Sequence, residues 1–249
     1  MSKFIGTEHT TKHAQFPLSC IVDKYFEDHL SLTQKEANDL HTKYYTQYGL
    51  AIAGLVRHHT VDPLDFNAKV DDALPLENIL RPDPKLRRLL EDINRDKVKP
   101  WLLTNAYVNH GKRVVKLLEV EDLFEGITYC DYSAKEFLAK PYKGFYLKAM
   151  REAGADPTQD CYFVGEFNRG LAAEHVWMID EILDDSYTNC KGAHALGWTV
   201  AHLVEPSISL PSLPACEYTI RSLEDLRDIF PQCFKSQQVN GANTTGVMM

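Results

Sequence analysis

Apolar positions divide this chain into two kinds of sequence. From Leu18 to about Ala73 they recur at helical spacing, and "CIVDKYFEDHL" places Ile21, Tyr25, Phe26 and His29 on one face. "SLTQKEANDLHTKYYTQYG" opens on a Ser/Thr cap and closes at Gly49, and "VDPLDFNAKVDDAL" carries Pro63 in a first helical turn. No convincing strand interrupts this stretch, which predicts a small helical module. Beyond "RPDPKLRRLLEDI" the pattern changes. Short apolar runs, "KPWLLTNA", "GITYC", "CYFV" and "WTVAHLV", alternate with the helical segments "YVNHGKRVVKLLEV", "KGFYLKAMREAG" and "YTNCKGAHALG". Strands separated by helices predict right-handed crossovers and a parallel sheet covered on both faces. The ends differ from both halves. "MSKFIGTEHTTKHAQFP" is polar and aperiodic, with strand character only in "KFI", and "KSQQVNGANTTGVMM" has the composition of a disordered tail.

Bulk properties narrow the function without naming it. At 249 residues the chain can bury a full core, and no internal repeat is visible. A net charge of -8 argues against binding nucleic-acid polymers, which need a basic surface, but leaves room for a small phosphorylated ligand. The six cysteines form no CxxC pair and no metal-finger spacing, so buried, reduced thiols are expected. No apolar run is long enough to span a bilayer, and no signal-peptide core is present. A cytoplasmic protein is the expectation, with nuclear residence left open and no membrane partner.

In open parallel sheets the working residues follow the carboxyl ends of strands. After "WLL" stand Thr104 and Asn105, a hydroxyl and an amide able to hydrogen-bond a phosphate oxygen. After "GITYC" comes Asp131, then Lys140-Pro141, a cation on a stiff backbone. After "CYFV", once an odd intervening segment is passed, comes Asp184-Asp185-Ser186, and paired carboxylates at a strand end suit a hard cation such as Mg²⁺. Each piece alone has a plainer reading: Thr104-Asn105 or Asp184-Asp185-Ser186 as helix caps, Lys140 as a solvated lysine. Their order on separate strand ends is what favours phosphoryl chemistry.

The patterns "WLLTNA", "AKPYKGFYLKAMREAG" and "DDSYTNCKGAHALGW" resemble the haloacid dehalogenase-like hydrolases, and within them the fungal pyrimidine 5′-nucleotidases. The block "YYTQYGLAIAGLVRHHTVDPLDFNAKVDDALPLENILRPDP" resembles that branch's helical cap, and the similarity runs from about Ile21 to about Phe234. It implies a three-layer α/β fold with a small all-helical cap: a cap over 18–80, a core over 81–235, an atypical N-terminus at 1–17 and a tail at 236–249. It implies Mg²⁺-dependent phosphomonoester hydrolysis through an aspartyl-phosphate, with a nucleoside monophosphate as the small-molecule partner. Thr104 would bind the phosphate with Asn105 beside it, Lys140 would orient the nucleophile, and Asp184 and Asp185 would hold the magnesium.

The chain departs from this pattern twice. The family's first motif, DxDxT at the end of a central strand, supplies the nucleophilic Asp and should lie upstream of Leu18. There the sole acidic residue is Glu8; forcing "GTEHT" onto the motif puts Gly6, with no side chain, in the nucleophile's place. The central first strand is therefore expected to be missing, "KFI" being too short to fill the gap well, and catalysis to be impaired. Second, Gly165 to Leu183 separates "CYFV" from "DDSYTN"; deleting it restores "CYFVDDSYTN". Gly-Glu-Phe can be encoded with a GTGAGT splice donor and Leu-Asp with a TAG acceptor, so 165–183 reads as an in-frame retained intron, against a true insertion. A first exon carrying the nucleophile is a related expectation. The competing functional reading is a non-catalytic phosphate- or nucleotide-binding relative.

Overall fold

The computed structural model describes residues 3–7, 18–155, 161–166 and 185–236. Six parallel strands form one sheet: β1 (Lys3–Thr7), β2 (Val98–Thr104), β3 (Gly126–Tyr129), β4 (Cys161–Glu166), β5 (Thr199–Leu203) and β6 (Tyr218–Ile220), in the order β3-β2-β1-β4-β5-β6. The helices that cross between them are α7 (Val108–Leu117) after β2, α8 (Lys143–Ala153) after β3 and α9 (Asp185–Ala195) after β4. Alternation along each strand sorts its side chains to opposite faces. Leu102, Tyr162, Val164, Ala201 and Leu203 pack with Val115 of α7 and with Leu86, Leu89 and Leu90 of α6 (Pro84–Glu91). Trp101, Leu103, Cys161, Phe163 and Val200 pack on the other face with Phe145, Tyr146 and Ala149 of α8 and Cys190 and Ala193 of α9. The result is the three-layer parallel arrangement that the strand–helix alternation predicts.

The expectation of a missing central strand is corrected. Lys3–Thr7 lies in the middle of the sheet, paired in parallel with β2 (Gly6 opposite Trp101, Thr7 opposite Leu102) and with β4 (Gly6 opposite Phe163, Thr7 opposite Val164). Ladder pairing uses backbone groups, which Gly6 and Thr7 supply as well as any residue, so the strand runs past the three residues whose side chains advertise it. The sequence reading also lacks β6, three residues paired with β5 through Ala201 opposite Tyr218.

The helical block forms as α1 (Leu18–Leu30), α2 (Gln34–Tyr48), α3 (Ala51–His58) and α4 (Pro63–Lys69). Thr33 caps α2 in a reciprocal pair with Glu36, and Gly49 ends it with φ of 69°. Val22, Tyr25, Phe26, Tyr44, Ile52, Leu55 and Phe66 make its apolar centre, which Cys130, Tyr132 and Ala139 of the core join. Leu74 and Leu80, with Leu76 and Ile79 of the short α5 (Leu76–Ile79), pack instead against the sheet.

Gly165 and Glu166, the first two residues of the odd segment, continue β4 and pair with His202 and Leu203. The rest of that segment, and positions 237–249 of the expected tail, lie outside the described residues.

Candidate active site

β2 ends at Thr104, whose hydroxyl accepts the Ala106 N–H at 3.1 Å and so shapes the turn that follows. Asn105 faces Lys140. Its Oδ1 accepts the Lys140 N–H at 2.7 Å and its Nδ2 donates to the Lys140 carbonyl at 3.0 Å. One side-chain amide thus satisfies both backbone groups of a residue far along the chain, and the Lys140–Pro141 peptide it holds is cis. Two glycines allow other elements to close on this peptide. A Cβ at Gly49 of the helical block would lie 3.3 Å from the Lys140 carbonyl oxygen; one at Gly192 of α9 would lie 2.5 Å from that of Pro141.

The Lys140 side chain is fully buried. Its Nζ donates to the Leu103 carbonyl at 3.3 Å and sits 6.0 Å from the centre of the Phe163 ring. Thr104, Asn105 and Lys140, drawn from two strand ends, are therefore brought together at the carboxyl edge of the sheet. Asp131 instead shapes the backbone: its Oδ1 accepts from the N–H and the hydroxyl of Ser133, which fixes the turn after β3.

α9 opens at Asp185, and its first turn returns to the end of β4. The buried Ser186 hydroxyl oxygen lies 3.2 Å from where a Cβ on Gly165 would stand. The chain thus brings Ser186 back beside β4 across the intervening segment. Burial of Cys190 and Ala193 against Phe163 and Trp198 fixes the helix on the sheet, and a longer connection costs little extra closure entropy. Ser186 Oγ and Asn189 Nδ2, both buried there, have no partner among the described residues. Asp184 and the side chain of Asp185 lie outside those residues. No group of three or more His, Cys, Asp or Glu side chains among the described residues could hold a metal ion, so these residues do not by themselves make a magnesium site. Within β1 no carboxylate is present, and Glu8 lies outside the described residues.

Sequence reasoning misses a buried polar cluster at the seam between the helical block and the core. Asp71 follows α4, His110 lies in the first turn of α7, and Tyr132 follows β3. The Tyr132 hydroxyl lies 3.4 Å from the Asn105 carbonyl oxygen, and its ring stacks on Tyr107 with centroids 5.5 Å apart. Burial pushes the Asp71 carboxyl up to about 7, neighbouring Asp72 adds to this, and hydrogen bonds from Tyr132 and the Tyr107 backbone pull the other way. Burial lowers the His110 imidazole. Three segments far apart in sequence supply these groups, so no local spacing marks them.

The family model for haloacid dehalogenase-like hydrolases matches residues 9–173. Phosphate metabolism protein 8 of Saccharomyces cerevisiae is 35% identical over 193 residues, 74% of this chain and 54% of its own length. Sesquiterpene phosphatase astK of Aspergillus oryzae is 26% identical over 111 residues, 45% of this chain and 55% of its own length. The chain thus spans about half the length of these curated relatives. Among solved structures, an HAD phosphatase from Thermococcus onnurineus superposes with a TM-score of 0.52 at 17% identity, over 92% of this chain and 97% of that one. The magnesium-bound HAD-hydrolase YfnB of Bacillus subtilis gives 0.54 at 11% identity, over 92% and 98%. At those identities the superpositions speak for the fold alone. With the family model covering most of its length, this chain belongs to the haloacid dehalogenase-like hydrolases.

Proposed function

We propose that the chain descends from, and retains the binding frame of, a Mg²⁺-dependent phosphomonoester hydrolase acting on pyrimidine nucleoside 5′-monophosphates, and that it is impaired in catalysis as it stands. The observation that carries this reading is the Asn105 amide clamped on both backbone groups of Lys140. It holds a buried cation beside Thr104 at the edge where a phosphoryl group would bind. A lysine at that edge, beside a hydroxyl donor, suits an anionic ligand such as a phosphate, whose charge it would meet. The Thr104 hydroxyl would donate to a phosphate oxygen, and Lys140 would neutralise charge as the phosphorus–oxygen bond breaks. Magnesium, held by Asp184 and Asp185, would supply further charge neutralisation. The helical block, resting through Gly49 on the Lys140 carbonyl, would shield the site from bulk water.

Impairment follows from β1. Its last residues are Gly6 and Thr7, so this strand presents no carboxylate to form an aspartyl-phosphate. Loss of a covalent nucleophile costs many orders of magnitude in rate. The test is phosphate release from UMP and CMP, with and without Mg²⁺, by two proteins. One is the chain itself; the other lacks residues 165–183 and carries Gly6→Asp and Glu8→Asp. The first should release no phosphate above its magnesium-free control, and the second should turn over. Robust turnover by the unaltered chain would refute the impairment. A folded second protein inactive on every phosphomonoester tried would refute the phosphatase reading itself. The relatives' names, one concerned with phosphate metabolism and one a phosphatase, support the reaction class and leave the pyrimidine preference to the UMP and CMP assay.

A further inference from the structure

α9 and the loop before β6 each contribute a cysteine to one point beneath the sheet. The Cys190 thiol points to the Ala201 carbonyl at 4.0 Å, and the Cys216 thiol to the Tyr218 carbonyl at 3.4 Å. Ala201 and Tyr218 are register partners on the adjacent strands β5 and β6, so the two sulfurs are anchored to neighbouring positions of the ladder. Both side chains also lie in the same apolar cluster with Cys161, Ala215 and Trp198. The Cys216 thiol is in hydrogen-bonding contact with the Cys190 side chain, the proximity from which a disulfide forms. From this geometry we propose that Cys190 and Cys216 are a thiol pair that peroxide oxidises to a disulfide, joining α9 to the edge of the sheet.

The two cysteines differ in access, which assigns their roles. Cys216 is 8% exposed, next to a solvent-facing loop in which Leu213 is 70% exposed, whereas Cys190 is fully buried behind it. Contact with Cys190, with help from the Tyr218 and His202 backbones, holds the Cys216 thiol below its ordinary range against the opposing effect of burial. Cys130 makes the contrast: it is fully buried, and burial pushes its thiol up to about 12. In the first step the Cys216 thiolate attacks one peroxide oxygen and the oxygen–oxygen bond breaks. This gives a sulfenic acid on Cys216 and, after proton uptake, one water, or an alcohol from an organic hydroperoxide. In the second step the Cys190 sulfur attacks the Cys216 sulfur, the sulfur–oxygen bond breaks, and hydroxide leaves with the Cys190 proton as water. Two thiols are oxidised by two electrons in all, and one peroxide is reduced.

The proposal is independent of the phosphatase reading, since α9, β5 and β6 are placed by packing alone. Its test is peptide mapping of the folded full-length chain, treated with hydrogen peroxide, alkylated and digested with trypsin, which separates the two cysteines by cutting after Lys191. The expected product is the Cys190 peptide linked to the Cys216 peptide, lighter by two hydrogens and released by dithiothreitol. In the Cys190→Ser variant, Cys216 should stop at a sulfenic acid that dimedone traps; in Cys216→Ser, Cys190 should stay alkylatable. The wild-type map needs no variant to fold. Both thiols remaining alkylatable after peroxide, or Cys216 linking to any other cysteine, would overturn the assignment.

Discussion

Asn105 shows how one side chain can organise a site. Its amide is the partner of two backbone groups that burial hides from water, and removing it leaves both unmet. Asn105→Ala should therefore lower stability by about 1–3 kcal/mol, read from urea melts, besides loosening Lys140. A change below a few tenths would mean the loop holds its shape without the amide. Asp71 makes a prediction with a definite sign. Its folded carboxyl titrates near about 7, above the ordinary carboxylate range of about 4. Between those values the native state keeps a proton that the unfolded chain has released, so stability falls as pH rises through that window and is level above it. The contribution is at most roughly 4 kcal/mol by linkage, and Asp71→Asn should abolish it. His110, lowered by burial, acts in the opposite sense below about pH 6.5, so the wild-type minus variant difference in unfolding free energy isolates Asp71. A flat difference curve from pH 4 to 8 would contradict the assignment.

At the scale of elements, β1 and β4 govern the sheet. β1 is paired on both sides, and its removal would strip partners from the two strands that flank it. Deleting residues 1–7 should abolish cooperative thermal unfolding; a melt unchanged in midpoint and steepness would show that β1 contributes nothing. At the end of β4, a Cβ on Gly165 would lie 2.6 Å from the Cys190 sulfur, 3.2 Å from Phe163 Cε1 and 3.2 Å from Ser186 Oγ. Those neighbours are buried and cannot swing away. Gly165→Ala should cost about 1–3 kcal/mol through overpacking, measurable by chemical denaturation. The same crowding bears on the retained-intron reading: excising 165–183 would place Asp184 at this position, and α9 would have to move outward to admit it. Transcript sequencing across the joint decides between intron and insertion.

Across the whole molecule, the helical block and the core share one apolar cluster, since Cys130, Tyr132 and Ala139 of the core sit among Phe26, Tyr44 and Phe66. They should unfold together. No tryptophan lies in the block, whereas Trp101 and Trp198 are buried in the core, so their fluorescence follows the core while far-ultraviolet dichroism also follows the block's helices. Superimposable denaturation curves are expected, and two separated transitions would break the coupling. No helix among the described residues is long and apolar enough to cross a membrane.

Local pattern is enough to show the alternating strands and helices, the helical block with its Ser/Thr cap and its stop at Gly49, and the residues Thr104, Asn105 and Lys140 that follow strands. These are local signals, because side-chain alternation and capping are decided within a few residues. β6 escapes because three residues carry too little pattern, and the full length of β1 because backbone pairing leaves no mark on Gly6. The Asp71–His110–Tyr132 cluster escapes because its members come from three separate segments. By itself, then, the sequence determined most of the strands and helices and which chemical groups follow them. Only the tertiary structure decided that Lys3–Thr7 takes the centre of the sheet, that α9 returns to β4 across the odd segment, and that Asn105 grips Lys140. Those outcomes depend on backbone pairing and packing between distant segments, whose free energy exists only once the chain has closed on itself.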